Sequence, residues 1–396
     1  MKEKGLDPGG HDGPVRRHLL PYGRQWIDEQ DIRAVVDVLR SDWLTTGPAV
    51  GALEAAFARV AGTSEAVAVS SGTAALHAAM HALGIGAGDE VIVPAMTFAA
   101  TANCVVYQGA RPVFADVGPD TLLLDPASVR ARITPRTRAI IAVDYAGQPC
   151  DYDALQEVAA AHDLSLVDDA CHALGGAWRG RPVGSLAHLS TFSLHPVKHI
   201  TAGEGGLITT EDPVLAERMR IFRNHGITTD FRKREDLGSW FYEMADLGYN
   251  YRLTDIQCAL ALSQLAKLPG WVARRRMIAA SYDRAFRKIE GIQPLSVVNG
   301  VTHAYHLYVV RVTREGWDRG EIFRALRREG IGVNVHYIPV HLHPFYRTRF
   351  NTGPGLCPVA EAAYQDILSL PIFPRMEDQD IRDVITAVEK VVAAAV

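Results

Sequence analysis

Hydrophobic and polar positions alternate in blocks between about residues 65 and 210, and these blocks predict strands and helices in turn. Short apolar runs are separated by segments of roughly 10–15 residues with helical spacing, which is typical of βαβ units and a largely parallel sheet. We therefore expect a large α/β domain built around one sheet. The predicted strands cover 66–70, 91–94, 112–116, 138–144, 164–169, 189–195 and 206–210.

The C-terminal third has a different order of elements, which indicates a smaller α+β domain. Two predicted helices, separated at Pro269–Gly270, connect the two parts of the chain. We divide the chain into a flexible leader over 1–20, a large domain over 21–265 and a small domain over 266–396. The elements predicted after the two helices are a strand at 306–312, a helix at 320–329, a strand at 332–338 and two closing helices.

Composition restricts the class of protein. The 396 residues carry a formal net charge of -4 with both signs dispersed, whereas a nucleic-acid surface needs clustered Lys and Arg. No apolar run approaches the roughly 18 residues of a membrane span, and the N-terminus lacks a signal-peptide core. The five cysteines are scattered without a CxxC pair. We expect a soluble cytoplasmic protein without nucleic-acid or membrane partners.

The segment Ser70–Leu76 follows the first predicted strand and opens a helix. A helix N-terminus offers free amides and a partial positive charge, which suit a phosphate. Gly72 would let the backbone approach such a ligand, and Thr73 would add a hydroxyl. An ordinary capped helix with a tight turn explains the same residues.

Two carboxylates, Asp168 and Asp169, end another predicted strand. Buried charge is costly unless it is paired. One carboxylate therefore faces a cationic ligand such as a protonated pyridine nitrogen, or else caps the next helix, a position that Asp favours.

Lys198 lies between Ser193 and the glycine-rich stretch 203–206, in a mostly apolar region. Burial and neighbouring cations lower the pKa of such a lysine, which favours Schiff-base formation. A surface lysine beside a glycine turn is the alternative. The three segments together have more weight than each alone, because an anion turn, a strand-end Asp and a Lys occur in the order found in fold-type I pyridoxal-phosphate (PLP) enzymes.

The chain resembles the DegT/StrS family of sugar aminotransferases from about Pro21 to the last helix. The resemblance implies an aspartate aminotransferase-like fold of type I with a mixed, mostly parallel sheet. The segments that carry it are Gly47–Pro48, SSGTAAL at 70–76, VPAMTFAAT at 93–101, DDACHALG at 168–175, SLHPVK at 193–198, GEGG at 203–206 and GYNYRLTDIQ at 248–257.

The resemblance also implies roles for individual residues. Lys198 would carry PLP as a Schiff base and move protons, and Asp169 would pair with the pyridine nitrogen. Asp168 stands where the family often has Glu, behind the cofactor. The remaining implied contacts are His172 near the phenolic oxygen, Phe98 stacked on the ring, Gly72, Thr73 and Ser193 at the phosphate, and Asn250 at the phosphate of a neighbouring subunit, which would make the active unit a homodimer.

The substrate implied by the resemblance is a nucleotide-linked keto sugar, aminated at position 4 with L-glutamate as donor. Segments 21–28, 40–48 and 332–341 resemble family members that act on a UDP-linked 2-acetamido-2,6-dideoxy-4-keto sugar. Another UDP- or dTDP-linked keto sugar, a cyclitol, or a non-catalytic PLP-binding regulator remain alternatives. Because relatives with His in place of Lys198 are dehydratases, the lysine favours transamination.

Substrate contacts are predicted for a few further side chains. His336, His341 and His343 do not match the spacing of a helical metal motif such as HExxH, and prolines interrupt them, so no metal site is expected. Arg252 is a candidate for the donor carboxylate. The full set of predicted substrate contacts is Tyr22, His195, Arg252, His336 and Tyr337.

Overall fold

The structure is a computed structural model that describes residues 13–229, 234 and 238–394. The leader predicted over residues 1–20 lies partly outside this range, because residues 1–12 are not described. Residues 13–20 are held against the C-terminal part of the chain. The Arg16 guanidinium forms ion pairs with Asp380 and Asp383 at 2.7 and 2.5 Å, and Leu20 is only 5% exposed.

The main sheet contains every strand predicted between residues 65 and 210, with ends shifted by one or two residues. These strands are buried along most of their length because helices cover both faces of the sheet. Two short strands, β6 and β7, lie outside it. The strands of this region are β1 (Glu65–Val69), β2 (Glu90–Pro94), β3 (Arg111–Ala115), β4 (Thr137–Val143), β5 (Ser165–Asp169), β6 (Ala177–Trp178), β7 (Arg181–Pro182), β8 (Leu189–Ser193) and β9 (Gly206–Thr210).

The strand order of the main sheet is β1-β9-β8-β5-β4-β2-β3. Strand β9 is antiparallel to both of its neighbours, and the other pairs are parallel. Because β1 and β8 are both antiparallel to β9, which lies between them, β1 runs parallel to β8. The carboxyl ends of β1, β2, β4, β5 and β8 therefore meet at one edge of the sheet, where α/β proteins bind ligands.

Helices surround the sheet, and three of them were not predicted from the sequence. Each of these three, α2, α5 and α7, begins with a proline, which is favoured in the first turn because its missing N–H has no helical partner there. The helices of this region are α1 (Glu29–Leu39), α2 (Pro48–Ala61), α3 (Gly72–Ala82), α4 (Ala99–Tyr107), α5 (Pro126–Arg132), α6 (Tyr152–Ala161), α7 (Pro213–Phe222) and α8 (Asp255–Leu265).

The C-terminal part has its own apolar core, formed by α9, a three-stranded sheet of order β10-β12-β13 and the last helix. The short strand β11 pairs with β6 of the larger part. The elements are α9 (Leu268–Phe286), β10 (Ile292–Pro294), β11 (Val301–Thr302), β12 (Tyr308–Val312), α10 (Arg319–Arg328), α11 (Pro344–Phe350), α12 (Pro358–Asp366), β13 (Ile367–Leu370) and α13 (Asp378–Ala394).

Two predictions for this part were wrong. Segment 332–338 is not a strand, because the place beside β12 is taken by β13; only Asn334 forms an isolated bridge, to Ser369. Three helices follow, not two, since Pro344 and Pro358 each start a separate helix. Within the described part of the chain, no helix is long and apolar enough to cross a membrane.

Candidate active site

The turn after β1 forms the start of α3. The Ser71 hydroxyl caps the helix by accepting from the Ala74 amide at 3.0 Å. The backbone amides of Gly72 and Thr73 donate no hydrogen bond to any acceptor among the described residues. They are therefore free to bind an anion. A Cβ on Gly72 would lie 2.9 Å from the Ser193 Cβ, which places the end of β8 directly against this turn.

Asp169 ends β5 with a buried carboxylate held by neutral donors. Its Oδ2 accepts from the Thr101 hydroxyl at 2.7 Å, and its Oδ1 accepts from the Cys171 amide at 3.3 Å. The Thr101 hydroxyl also contacts that of Thr97 at 2.7 Å. No Lys or Arg of the described residues forms an ion pair with Asp169. Because buried charge requires a partner, this carboxylate suits a cationic ligand.

Asp168 lies on the opposite face of β5 and is fully buried. Neither of its oxygens has a hydrogen-bond partner among the described residues. Burial, together with the neighbouring Asp144, raises the pKa of Asp168 well above its usual range, and burial raises that of Asp144 to about 7. Since two adjacent buried carboxyls do not both ionise, the pair retains a proton near neutral pH.

Lys198 lies in the loop between β8 and β9. Hydrogen bonds within the loop fix its shape: the Lys198 amide donates to the His195 carbonyl at 2.9 Å, and the Thr201 hydroxyl donates to the Leu194 carbonyl at 3.0 Å. Burial lowers the pKa of the Lys198 amine, while Cys171 and Asp169 act in the opposite direction. A lysine with a lowered pKa is partly neutral and hence nucleophilic.

A line of aromatic and imidazole rings leads from the surface to this lysine. Phe98, 59% exposed at the start of α4, contacts Tyr337 with ring centroids 5.9 Å apart. The Tyr337 hydroxyl lies 3.1 Å from His172 Nε2. The His172 ring is 4.4 Å from that of His306, which is 5.8 Å from that of His199. Successive rings come alternately from the large and the C-terminal parts of the chain.

Tyr22 and His336 form a pair beside this line, with ring centroids 5.2 Å apart. His336 Nδ1 contacts the Ser369 hydroxyl at 2.8 Å, and burial lowers the pKa of His336 to about 4. His341 instead contacts Glu361 at 2.8 Å. Across the described ranges, no group of three or more potential ligands is arranged to hold a metal.

Three of the predicted site residues lie away from the cluster around Lys198 in the same chain. His195 is an exposed loop residue. Asn250 is exposed and forms a backbone bridge with Asn224. Arg252 donates to Asn224 Oδ1 at 2.8 Å and lines a cavity of about 750 Å³ that also includes Thr45.

Sequence reasoning missed three residues that adjoin the predicted site. Thr101 lies in the first turn of α4, four residues after Thr97, and this spacing could have been recognised within the quoted 93–101 segment. His199 and His306 are separated by more than 100 positions and had no such signal. Their proximity depends on how the C-terminal part packs on the sheet.

A nucleophilic lysine, a buried carboxylate without a cationic partner and a free helix N-terminus meet at one edge of a mixed sheet. These groups fit the aldehyde, the pyridine nitrogen and the phosphate of PLP, and with this fold they are typical of a fold-type I PLP-dependent enzyme.

Residues 25–389 match the DegT/DnrJ/EryC1/StrS aminotransferase family, and the chain belongs to that family. The spore coat polysaccharide biosynthesis protein SpsC of Bacillus subtilis is 42% identical over 384 residues, 96% of this chain and 99% of SpsC. Spr1654 of Streptococcus pneumoniae, described as a sugar aminotransferase, aligns in its pyridoxamine-phosphate form with a TM-score of 0.90 and 34% identity, over 95% of this chain and 100% of its own.

Helicobacter pylori PseC, an aminotransferase involved in the biosynthesis of pseudoaminic acid, aligns with a TM-score of 0.88 and 32% identity, over 95% of this chain and 100% of its own. Spr1654 is also known in a PLP form. PLP is therefore the cofactor of this protein, as predicted.

Proposed function

We propose that this protein transfers an amino group from L-glutamate to position 4 of a nucleotide-linked 4-keto-6-deoxy sugar, namely UDP-2-acetamido-2,6-dideoxy-β-L-arabino-hexos-4-ulose. The proposal rests mainly on one observation: Lys198, Asp169 and the Gly72 turn lie together at one edge of the sheet. The choice of sugar is supported by the similarity to PseC over nearly the whole chain.

In this proposal, each residue has a definite task. Bound PLP supplies an electron sink for the substrate carbon next to nitrogen. Lys198 would bind the aldehyde of PLP and would take and return the substrate proton at its Nζ. Asp169 would stabilise the protonated pyridine nitrogen. Gly72, Thr73 and Ser193 would hold the phosphate, Phe98 would cover the ring, and His172 would contact the phenolic oxygen.

The proposal includes a homodimer with shared active sites, in which Asn250 reaches the partner's phosphate. Support comes from the segment just before Asn250, which exposes large apolar side chains: Trp240 is 86% exposed, Leu247 71% and Met244 66%. A second copy of the chain would cover them, as contiguous exposed apolar surface commonly marks an interface.

The test is a mass-spectrometric amination assay with protein, PLP, L-glutamate and the UDP-linked keto sugar made in situ. We expect the ketone to become an amine, and Lys198→Ala to abolish the conversion. Glutamate-dependent loss of the PLP absorbance band without sugar product would reject this sugar and favour another nucleotide-linked keto sugar or a cyclitol. Lack of both changes with all donors tried would favour a non-catalytic PLP-binding protein.

The shared site has its own test. Lys198→Ala and Asn250→Ala subunits are each expected to be inactive, and mixing them after partial denaturation should restore activity, because one of the two sites in a mixed dimer has both residues intact. Activity of Asn250→Ala equal to that of the parent would refute the assignment of Asn250.

A further inference from the structure

Three buried histidines surround Lys198 and include two that the proposed function does not use. His172 is 5% exposed, His199 2% and His306 5%. The Nδ1 atom of each is buried and has no hydrogen-bond partner among the described residues. Three such atoms in adjoining rings need an explanation, since buried polar groups are nearly always hydrogen-bonded.

All three imidazoles are neutral near pH 7. Burial lowers the pKa of each of them well below its usual value, and the nearby Lys198 amine acts in the same direction. For His306, the other charged or titratable neighbours are His172, His199 and Arg275, and all of them disfavour its protonation. His306 therefore offers one donor and one acceptor nitrogen without adding positive charge beside the lysine.

The chain fixes His306 firmly. The buried Arg275 guanidinium donates to the backbone carbonyls of Tyr305 and His306, at 3.1 and 3.3 Å, and to that of Ile372 at 2.8 Å. On the other side, the His199 Nε2–H donates to the Ala304 carbonyl at 3.0 Å, so the Nδ1 of neutral His199 must be an acceptor.

Ring packing alone does not require histidine at position 306. A phenylalanine would fill the space between His172 and His199 and would avoid the cost of an unpaired buried nitrogen. A histidine at this buried position indicates that its ring nitrogens form hydrogen bonds when the cofactor is bound.

We propose that His306 is a positioning residue of the aminotransferase site: its ring packs 4.4 Å from that of His172, which contacts Tyr337, and its nitrogens complete the hydrogen bonds that keep His172 oriented once the cofactor is bound. The inference deepens the proposed function and rests on it. It also explains why rings from the two parts of the chain alternate, because His306 and Tyr337 of the C-terminal part enclose His172 from both sides.

The test compares His306→Phe, which keeps the ring, with His306→Asn, which keeps polar atoms near the Nδ1 position. His303→Phe is the matched control: His303 is also buried on the same segment, but its ring stacks on Tyr305 at 3.8 Å, its Nδ1 accepts from the Tyr305 amide at 2.9 Å, and among the described residues it has no ring contact with His172, His199 or His306. The measurements are thermal unfolding, the pH dependence of the visible absorbance of bound PLP, and the single-turnover rate with L-glutamate.

We expect His306→Phe to fold with undiminished thermal stability, to shift the pH midpoint of the PLP absorbance, and to slow the single turnover about tenfold, the effect of losing one hydrogen-bonded contact. His306→Asn should recover part of both losses, and His303→Phe should change neither. A His306→Phe protein with unshifted absorbance and a rate within about twofold of the parent would overturn the inference.

Failure of the proposed function would look different. The parent protein would then give no turnover with glutamate, whereas the absorbance titration would still show whether His306 acts on the bound cofactor. If His306→Phe fails to fold, His306→Leu, which also lacks the ring nitrogens, takes its place: an unshifted titration and a rate within about twofold of the parent would equally overturn the inference.

Discussion

Substitution of Gly72 by alanine tests the proposed phosphate turn at its tightest point. The added Cβ would lie 2.9 Å from the Ser193 Cβ and 3.3 Å from the Cys171 Sγ. The nearer neighbour, the Ser193 Cβ, is attached directly to the backbone of β8, so no side-chain rotation can move it away. The start of α3 must therefore move away from the strand ends.

Overpacking of this kind costs about 1–3 kcal/mol. Without the cofactor, the helix start can shift and relieve most of the strain. With the phosphate bound, the amides of Gly72 and Thr73 must return to their places beside Ser193, so the strain appears as lost affinity. We expect cofactor binding to weaken by about 5–150-fold, the equivalent of that free energy.

Pyridoxamine phosphate is the suitable ligand for this measurement, because it cannot form a Schiff base with Lys198. Its dissociation constant would be measured by fluorescence titration of the cofactor-free protein. Gly86→Ala is the control, since a Cβ at Gly86 meets no atom within 4 Å. A dissociation constant for Gly72→Ala within about twofold of that for Gly86→Ala would refute the reasoning.

Three further predictions concern charge. Asp169→Asn should lower the single-turnover rate with L-glutamate at least about 100-fold, because a neutral amide stabilises the protonated pyridine nitrogen poorly; a loss of less than about tenfold would contradict the role of Asp169. Asp168→Asn should raise the free energy of unfolding more at pH 8 than at pH 5. Because the pKa of Asp144 is raised to about 7, the folded state binds more protons than the unfolded state between about pH 4 and 7, and stability falls as pH rises through that window. Urea unfolding at the two pH values measures the effect, and an equal effect at both would count against the shared proton. His303 should have the opposite effect on pH dependence: because its pKa is lowered to about 3, the stability of the parent falls as pH drops from about 6.5. His303→Phe should therefore lose less stability than the parent between pH 7 and pH 5. An equal loss of unfolding free energy in both proteins would argue against this reasoning.

The large sheet could be predicted because most of its strands contain a short apolar run bounded by turn residues. The site segments could be predicted because each follows a strand end, and parallel strands bring their carboxyl ends to one edge. Lys198, Asp169 and Gly72 are therefore brought together by topology. Their chemical roles were predicted from a family resemblance and await the tests above.

The C-terminal part was harder to predict. Segment 332–338 has an apolar alternation typical of a strand, but which segment pairs with β12 is decided by tertiary packing, and β13 takes that place. His306 was missed for a similar reason. Its neighbours His172 and His199 are distant in sequence, and local spacing contains no information about contacts made between separate parts of a fold.

The antiparallel strand β9 has a consequence for the order in which the protein assembles. Glu65 of β1 pairs with Thr210 of β9, so the pairing closes a loop of more than 140 residues. Until β9 enters the sheet, the Gly72 turn has no fixed position relative to Ser193 and Lys198. Long-range pairings of this kind form late and slowly. During synthesis, the cofactor can therefore bind tightly only after the whole sheet is complete, and the appearance of its absorbance would report the final closure of the large domain.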